Sequence, residues 1–156
     1  MKNILLILSI ASFLSSFSQK KTVKLKMTQY IPYCGGAKPS PEITAKLNAP
    51  VPYANKTLIY VSDKNKIDSV KTNAKGVLNV KLSFGTYKFF EPWKYYRQIP
   101  FGENESNINM ECLALEWEIA DMKITVGKKI VYDEYKLLYP ICSYRFPCLI
   151  NKHFPQ

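Results

Sequence analysis

Histidine is nearly absent from this chain, and several motifs that carry chemistry are missing. The only histidine among 156 residues is His153, and a side chain so near the C-terminus is more typical of a solvated tail than of a catalytic triad. No Cys-x-x-Cys motif occurs, and Cys142-x5-Cys148 does not have the spacing of a zinc knuckle. The glycines of Cys34-Gly-Gly-Ala37 lack the lysine and hydroxyl residue of a phosphate-binding loop. We therefore predict no catalytic residues, no metal site and no cofactor.

Arginine is also scarce, although the chain is strongly basic. Only Arg97 and Arg145 stand among 22 basic residues, and the formal net charge is +10. Specific phosphate recognition favours the bidentate arginine side chain, so a lysine-rich composition argues against a nucleic-acid partner. Scattered lysines are typical of a solvated surface. They would also suit contact with an envelope protein or an anionic polysaccharide.

The N-terminus contains the one long apolar run of the sequence. Met1-Lys2-Asn3 is basic, Ile4 to Ile10 is apolar, and Ala11 to Ser18 is mostly small and polar, the order found in a secretory signal peptide. The run is shorter than the roughly 20 residues that span a bilayer; an uncleaved anchor is the alternative. We predict a signal peptide over residues 1–18 and a single β-sandwich domain over 19–156. The mature protein is then secreted or periplasmic, without a membrane span.

Four cysteines follow the predicted signal. An even number in an exported chain favours disulfides, and four cysteines allow three pairings. Cys142 and Cys148 bracket a short loop and are expected to pair locally, which would clamp that C-terminal loop. Cys34 and Cys112 would then form the second disulfide.

Alternating apolar and polar residues predict a mainly β fold. Strands are expected from Thr22 to Tyr30, from Thr57 to Ser62 and from Ile67 to Thr72. Residues 72–89 predict a β-hairpin-like unit, with a glycine turn, an alternating strand, a second glycine turn and a further strand. Ser40-Pro41-Glu42 predicts a short helix over Pro41 to Leu47, because it combines a capping residue, a proline at the first helical position and an acidic residue in the first turn.

Part of this unit resembles a known family. The pattern is similar to the carboxypeptidase-regulatory-like, or transthyretin-like (prealbumin-like), β-sandwich domains, with matches at Thr72, Gly76, Val80, Leu82, Gly85 and Tyr87. Asn73 and Leu78 depart from the family's usual acid and aromatic residue, and Ser83-Phe84 replaces its proline-containing turn. The resemblance implies a prealbumin-like antiparallel β-sandwich with one or two short helices. It implies no activity, since such domains usually serve as scaffold, adhesion or interaction modules.

A second resemblance extends over more of the chain. The opening at Tyr33 to Glu42, Cys112 with Trp117, and the pair Cys142 and Cys148 are similar to exported proteins of Gram-negative bacteria whose function is uncharacterised. This resemblance implies fold and location, and implies no substrate.

In the C-terminal third, residues 110–120 are predicted to form either a helix or a strand. Helical and strand periodicities both fit, and the content of Ala, Leu and Glu favours a helix capped by Asn109. Glu116, Glu118 and Asp121 form the densest acidic cluster. On a helix face such residues are usually solubilising. Met122 to Val126 and Ile130 to Leu138 predict a hairpin around Gly127-Lys128-Lys129.

The aromatic segment from Phe89 to Arg97 is the best candidate for recognition. Trp93, Tyr95, Tyr96 and Arg97 have the side chains that stack on sugar rings or bind a peptide. The alternative is that these aromatics fill the core. We predict a non-enzymatic binding or structural module; a secreted hydrolase or inhibitor is the second hypothesis. Exposed Trp93, Tyr95 and Tyr96 beside a groove would favour the module. A cleft that gathers Glu116, Asp121 or His153 would favour an enzyme.

Overall fold

The computed structural model describes residues 20–132 and 141–151. Its helices and strands, in chain order, are β1 (Lys20–Lys26), β2 (Thr28–Gln29), α1 (Pro41–Leu47), β3 (Val51–Pro52), β4 (Thr57–Ser62), β5 (Ile67–Lys71), β6 (Val77–Ser83), β7 (Gly85–Phe90), α2 (Pro92–Tyr95), α3 (Met110–Glu118), β8 (Met122–Val126) and β9 (Ile130–Tyr132). Short 3₁₀ turns lie at Pro100–Gly102, Glu105–Asn107 and Ser143–Arg145. The mainly β composition with short helices is confirmed.

The strands form one five-stranded sheet and two strand pairs, all antiparallel. The larger sheet has the order β5-β4-β7-β8-β9, while β1 pairs with β6 and β2 pairs with β3. The hairpin-like pairing expected within residues 72–89 is therefore wrong, because β6 and β7 belong to different sheets. Only Phe84 separates these two strands. Since the commonest hairpin connections use at least two loop residues, the chain passes from one sheet to the other here.

The strand expected from Thr22 to Tyr30 is divided at Met27. The Met27 amide donates to the carbonyl of Gly76 over 2.8 Å, and its own carbonyl accepts from the Tyr53 amide over 3.0 Å. Met27 therefore joins the turn before β6 to the residues after β3. As a result β1 pairs with β6, whereas β2 pairs with β3.

The β1–β6 pair and the five-stranded sheet share one apolar core. Leu78 and Leu82, which the alternating pattern of β6 placed on one face, are both buried, while Val80 is partly buried against them. They meet side chains of the larger sheet such as Phe89 and Ile124, both 0% exposed. Burial of apolar surface is the main source of stability on this side of the molecule.

The positions that carry the family resemblance have defined backbone roles. Gly76 has φ +72°, and a Cβ there would lie 2.4 Å from the carbonyl oxygen of Met27; Gly85 has φ +148°. Both conformations favour glycine. The Tyr87 hydroxyl donates to the Ser83 carbonyl over 3.0 Å, so it fastens the start of β7 to the end of β6.

The two longer helices begin as expected. The Ser40 hydroxyl accepts from the amide of Ile43, and the Asn109 side chain accepts from the amide of Cys112. Each contact satisfies one of the free N–H groups at a helix start. The expected helix Pro41–Leu47 is confirmed, and so is a helix rather than a strand after Asn109.

All four cysteines form disulfides, but the local pairing is wrong. Cys34 bonds to Cys142 and Cys112 bonds to Cys148, across sequence separations of 108 and 36. The turn Ser143–Arg145 and the buried ring of Phe146 lie between Cys142 and Cys148 and direct them to different neighbours. Cys142 meets the segment around Cys34, while Cys148 packs with α3 in a second apolar cluster of Ile108, Leu113, Phe146, Cys148 and Leu149.

Two disulfides fit an oxidising extracellular or periplasmic compartment. Within residues 20–132 and 141–151, no helix has the length and apolar character needed to cross a membrane. The expected signal peptide, His153 and the far half of the strand expected from Ile130 to Leu138 lie outside the described residues.

Candidate functional site

A cleft of about 690 Å³, here called the main cleft, lies on the helical side of the molecule. Its walls come from the β7–α2 junction, the C-terminal half of α3, residues 99–101 and residues 141–147. Among the described residues, four aromatic side chains line it: Tyr53, Trp93, Phe101 and Phe146. Its charged lining residues are balanced, with Lys56, Lys94 and Arg145 on the basic side and Glu91, Glu116 and Asp121 on the acidic side.

The β7–α2 junction places several of these side chains. Glu91 is extended and caps α2, and Pro92 occupies the first turn of the helix, a position where the missing N–H of proline costs nothing. Residues on both sides of Pro92 line the cleft, namely Glu91, Trp93 and Lys94.

The carboxylate of Glu91 is held on both oxygens. The Tyr53 hydroxyl donates to Oε1 over 2.6 Å, and the Trp93 indole N–H donates to Oε2 over 2.9 Å. Burial raises the pKa of Tyr53 well above its usual value, and the neighbouring Glu91 carboxylate raises it further. Two aromatic rings and one acid are thereby fixed in a single arrangement.

A buried ion pair lies beneath this group. Lys94 Nζ is 2.7 Å from Asp121 Oδ1, and the two side chains are 6% and 4% exposed. Lys94 also donates to the Ile119 carbonyl, while Asp121 Oδ2 accepts from the Glu91 amide over 2.6 Å. Burial raises the pKa of Asp121, although the hydrogen bond and charge of Lys94 oppose this shift. The pair joins α2, the residues after α3 and the start of β8.

The acidic cluster near the end of α3 does not form one helical face. The helix ends at Glu118, and Asp121 lies beyond it and is buried. Glu118 is exposed and pairs with Arg97 over 2.9 Å, while Glu116 Oε2 is 4.0 Å from Lys94 Nζ. A solubilising role describes Glu118 alone, because Glu116 and Asp121 line the cleft.

The structure separates the four residues of the expected binding surface. Trp93 lines the main cleft and packs edge-on against Phe146, with centroids 6.1 Å apart. Tyr95 and Tyr96 contact each other edge-on outside the cleft lining, and Tyr96 is 60% exposed. Arg97 is exposed beside Glu118. Trp93 is thus the only one of the four that lines the main cleft.

Sequence reasoning overlooked Tyr53, Glu91, Lys94 and Phe146. Lys94 is one of many lysines scattered through the sequence, which suggested solvent-exposed positions. No feature of the sequence around it indicated that it is buried. The one usable signal was Glu91-Pro92 directly after a buried strand, which marks a helix start at a sheet edge. Among the described residues, no group of three or more His, Cys, Asp or Glu side chains is placed to hold a metal ion.

No protein-family model, curated protein or solved structure matches the chain.

Proposed function

We propose that the chain is an exported, non-enzymatic binding module of the cell envelope or extracellular space, and that it binds glycan chains in the main cleft. The observation that carries this proposal is the fixed group of Trp93, Glu91 and Tyr53. Sugars bind proteins by stacking on aromatic rings and by hydrogen bonding to polar side chains. Trp93 offers the ring, and each Glu91 oxygen, which already accepts one bond, keeps a second lone pair for a sugar hydroxyl. The cleft volume also lies within the range of about 300–1,000 Å³ usual for ligand sites.

The scaffold of the proposed module is a prealbumin-like β-sandwich. In support, two antiparallel sheets share one core, Gly76 and Gly85 have the positive φ angles that favour glycine, and the Tyr87 hydroxyl is bonded to the Ser83 carbonyl. Such domains usually present ligands or partners on a rigid frame, in keeping with a cleft built outside the sheet core.

Export rests on the signal-like N-terminus and the two disulfides. Disulfides of large sequence separation persist in oxidising compartments, where envelope glycans and envelope proteins are the available partners.

Tryptophan fluorescence tests the proposed site directly. The chain has two tryptophans, Trp93 and Trp117, so the Trp117→Phe variant leaves Trp93 as the sole reporter. Titration with soluble envelope polysaccharide should change its emission saturably. The matched Trp93→Phe variant, which keeps Trp117, should show no saturable change and weaker binding by calorimetry. Equal binding by both variants would place the glycan site elsewhere.

A secreted hydrolase is the second candidate, because the cleft gathers Glu116 and Asp121 and the pKa of Asp121 is raised. Against it, both Asp121 oxygens are bonded within the protein and its side chain is 4% exposed. A glycosidase needs two carboxyl groups that reach the scissile bond. Release of reducing ends from bound polysaccharide, abolished by Glu116→Gln, would establish the hydrolase and overturn the binding module.

A further inference from the structure

The main cleft has a neighbouring cleft, which in turn borders a third. A second cleft of about 440 Å³, the side cleft, shares Ile141 and Arg145 with the main cleft. A third of about 570 Å³, the α1 cleft, shares Pro39, Thr44 and Asn48 with the side cleft. Because neighbouring clefts share lining residues, the three lie side by side from the β7–α2 junction to α1, and this row of clefts is here called the groove.

Charge is distributed unevenly along this groove. The acidic residues that line the groove within 20–132 and 141–151 all lie in the main cleft. Among the described residues that line the side and α1 clefts, the charged ones are Lys38 and Arg145, and none is acidic. A chain that runs along the groove therefore meets a cationic section beyond the aromatic one, which favours an anionic ligand.

Arg145 stands at the junction of the main and side clefts. It is exposed, and its guanidinium lies 5.7 Å from the centroid of the Tyr144 ring. Within residues 20–132 and 141–151, no carboxylate lies at ion-pair distance from it, whereas the other arginine, Arg97, is paired with Glu118. A planar guanidinium without such a partner suits bidentate binding of a ligand carboxylate.

The walls favour a glycan over a peptide. Of the described residues that line the three clefts, Gln29 alone belongs to a strand. The groove therefore offers little strand edge to which an extended peptide could add. It offers aromatic side chains instead, with Tyr30 and Tyr33 in the side cleft and Trp93 in the main cleft.

We propose that this groove binds an acidic polysaccharide lengthwise, with Trp93 under one sugar ring and Arg145 bound to the carboxylate of an acidic sugar farther along. The inference rests on the proposed function, and it adds the ligand class and the residue that selects it. In this proposal Arg145 determines the specificity for the sugar carboxylate, and Trp93 in the main cleft stacks on a sugar ring.

The two arginines make a matched experiment. Arg145→Gln and Arg97→Gln each remove one exposed positive charge, so nonspecific electrostatic attraction falls equally in both. Binding is measured by calorimetry with oligogalacturonate and with its fully methyl-esterified form, which has no carboxylate charge. We expect Arg145→Gln to weaken oligogalacturonate binding by about tenfold or more, since a charge-assisted contact is lost. Arg97→Gln should change it by less than about twofold.

The esterified probe separates the two proposals. Wild type should prefer the acid form, and Arg145→Gln should lose most of that preference, whereas Arg97→Gln should keep it. If wild type binds both forms alike, or both arginine variants behave alike, the role of Arg145 is overturned while a glycan site at Trp93 stands. If wild type binds neither form but binds polyglutamate, the ligand is a peptide and the acidic-glycan proposal is wrong. If wild type binds none of these probes and Trp93 emission is unchanged by envelope polysaccharide, the proposed function fails as well.

Discussion

The two sides of this molecule are stabilised in different ways. On the sheet side, the β1–β6 pair and the five-stranded sheet bury a continuous apolar core. On the cleft side, a small apolar cluster is supplemented by two disulfides and a buried ion pair. Apolar burial is nondirectional and tolerates small changes, whereas a buried ion pair is strongly destabilised when one partner is lost. The cleft thus depends on a few specific bonds, and the sheets on many ordinary contacts.

The largest expected effect comes from removing the longer disulfide. Cys34→Ser with Cys142→Ser should lower the free energy of unfolding by about 5 kcal/mol in the chain-entropy model, measured by urea denaturation. Its control is Cys112→Ser with Cys148→Ser, which closes a shorter loop and should cost about 4 kcal/mol. A loss below about 1 kcal/mol in the first variant would show that packing alone holds the segment after Ile141.

On the sheet side, Phe89→Ala should be the most damaging single change considered. Phe89 is 0% exposed, and its truncation should cost about 4 kcal/mol through lost burial and the cavity left behind. The partly buried Val80 is the control, and Val80→Ala should cost about 1–2 kcal/mol. Urea denaturation measures the loss of unfolding free energy in both variants. Equal losses would contradict the placement of Phe89 in the core.

Asp121→Asn probes the ion pair and should cost about 3 kcal/mol, because the buried Lys94 ammonium loses its charged partner. Adding Lys94→Met should restore most of the loss, since neither charge then remains uncompensated. Thermal unfolding of wild type, of the single variants Asp121→Asn and Lys94→Met, and of the double variant completes a double-mutant cycle. A double variant as unstable as the sum of both single changes would mean that the pair is not coupled.

Tyr53→Phe should have the smallest effect, about 2 kcal/mol, because one hydrogen bond to a carboxylate is lost. Folding raises the pKa of Tyr53, so this contribution is present below its ordinary value of about 10 and is lost as the pH rises above it. The stability gap between wild type and variant should shrink in alkaline solution. Tyr96→Phe, at an exposed position, should show neither the loss nor the pH dependence.

The difference between local patterns and distant contacts explains how much of the fold could be predicted from the sequence. The alternation at Leu78, Val80 and Leu82 is local, so it predicted strand β6, and Ser40-Pro41 likewise predicted α1. Which strands pair depends on distant contacts, such as those of Met27 with Gly76 and Tyr53. Alternation carries no information about these contacts, so the pairing of β6 with β1 was not foreseen.

Of the predicted binding surface, only Trp93 lines the main cleft; Glu116 and Asp121, which the sequence named as candidates for an enzyme's cleft, line it too. The even number of cysteines predicted disulfides, but their pairing followed the packing of Cys148 against α3 rather than sequence distance. Burial of Lys94 and Asp121 arises where α2, α3 and β8 meet, and a charged residue has no sequence pattern that marks such a position. The burial of these two charged residues could therefore be recognised only from the structure.

The pairing of β1 with β6 also determines when this protein can fold. Lys20 lies opposite Ser83, so the first described strand has no complete partner until about half of the chain has been synthesised. Contacts between such distant residues slow folding, because the loop between them must be closed before they become favourable. During that interval β1 presents an unpaired edge, and its alternating lysines discourage pairing with other chains. We therefore expect the lysines of β1 to hinder its pairing with other chains during folding, before they become part of the finished surface.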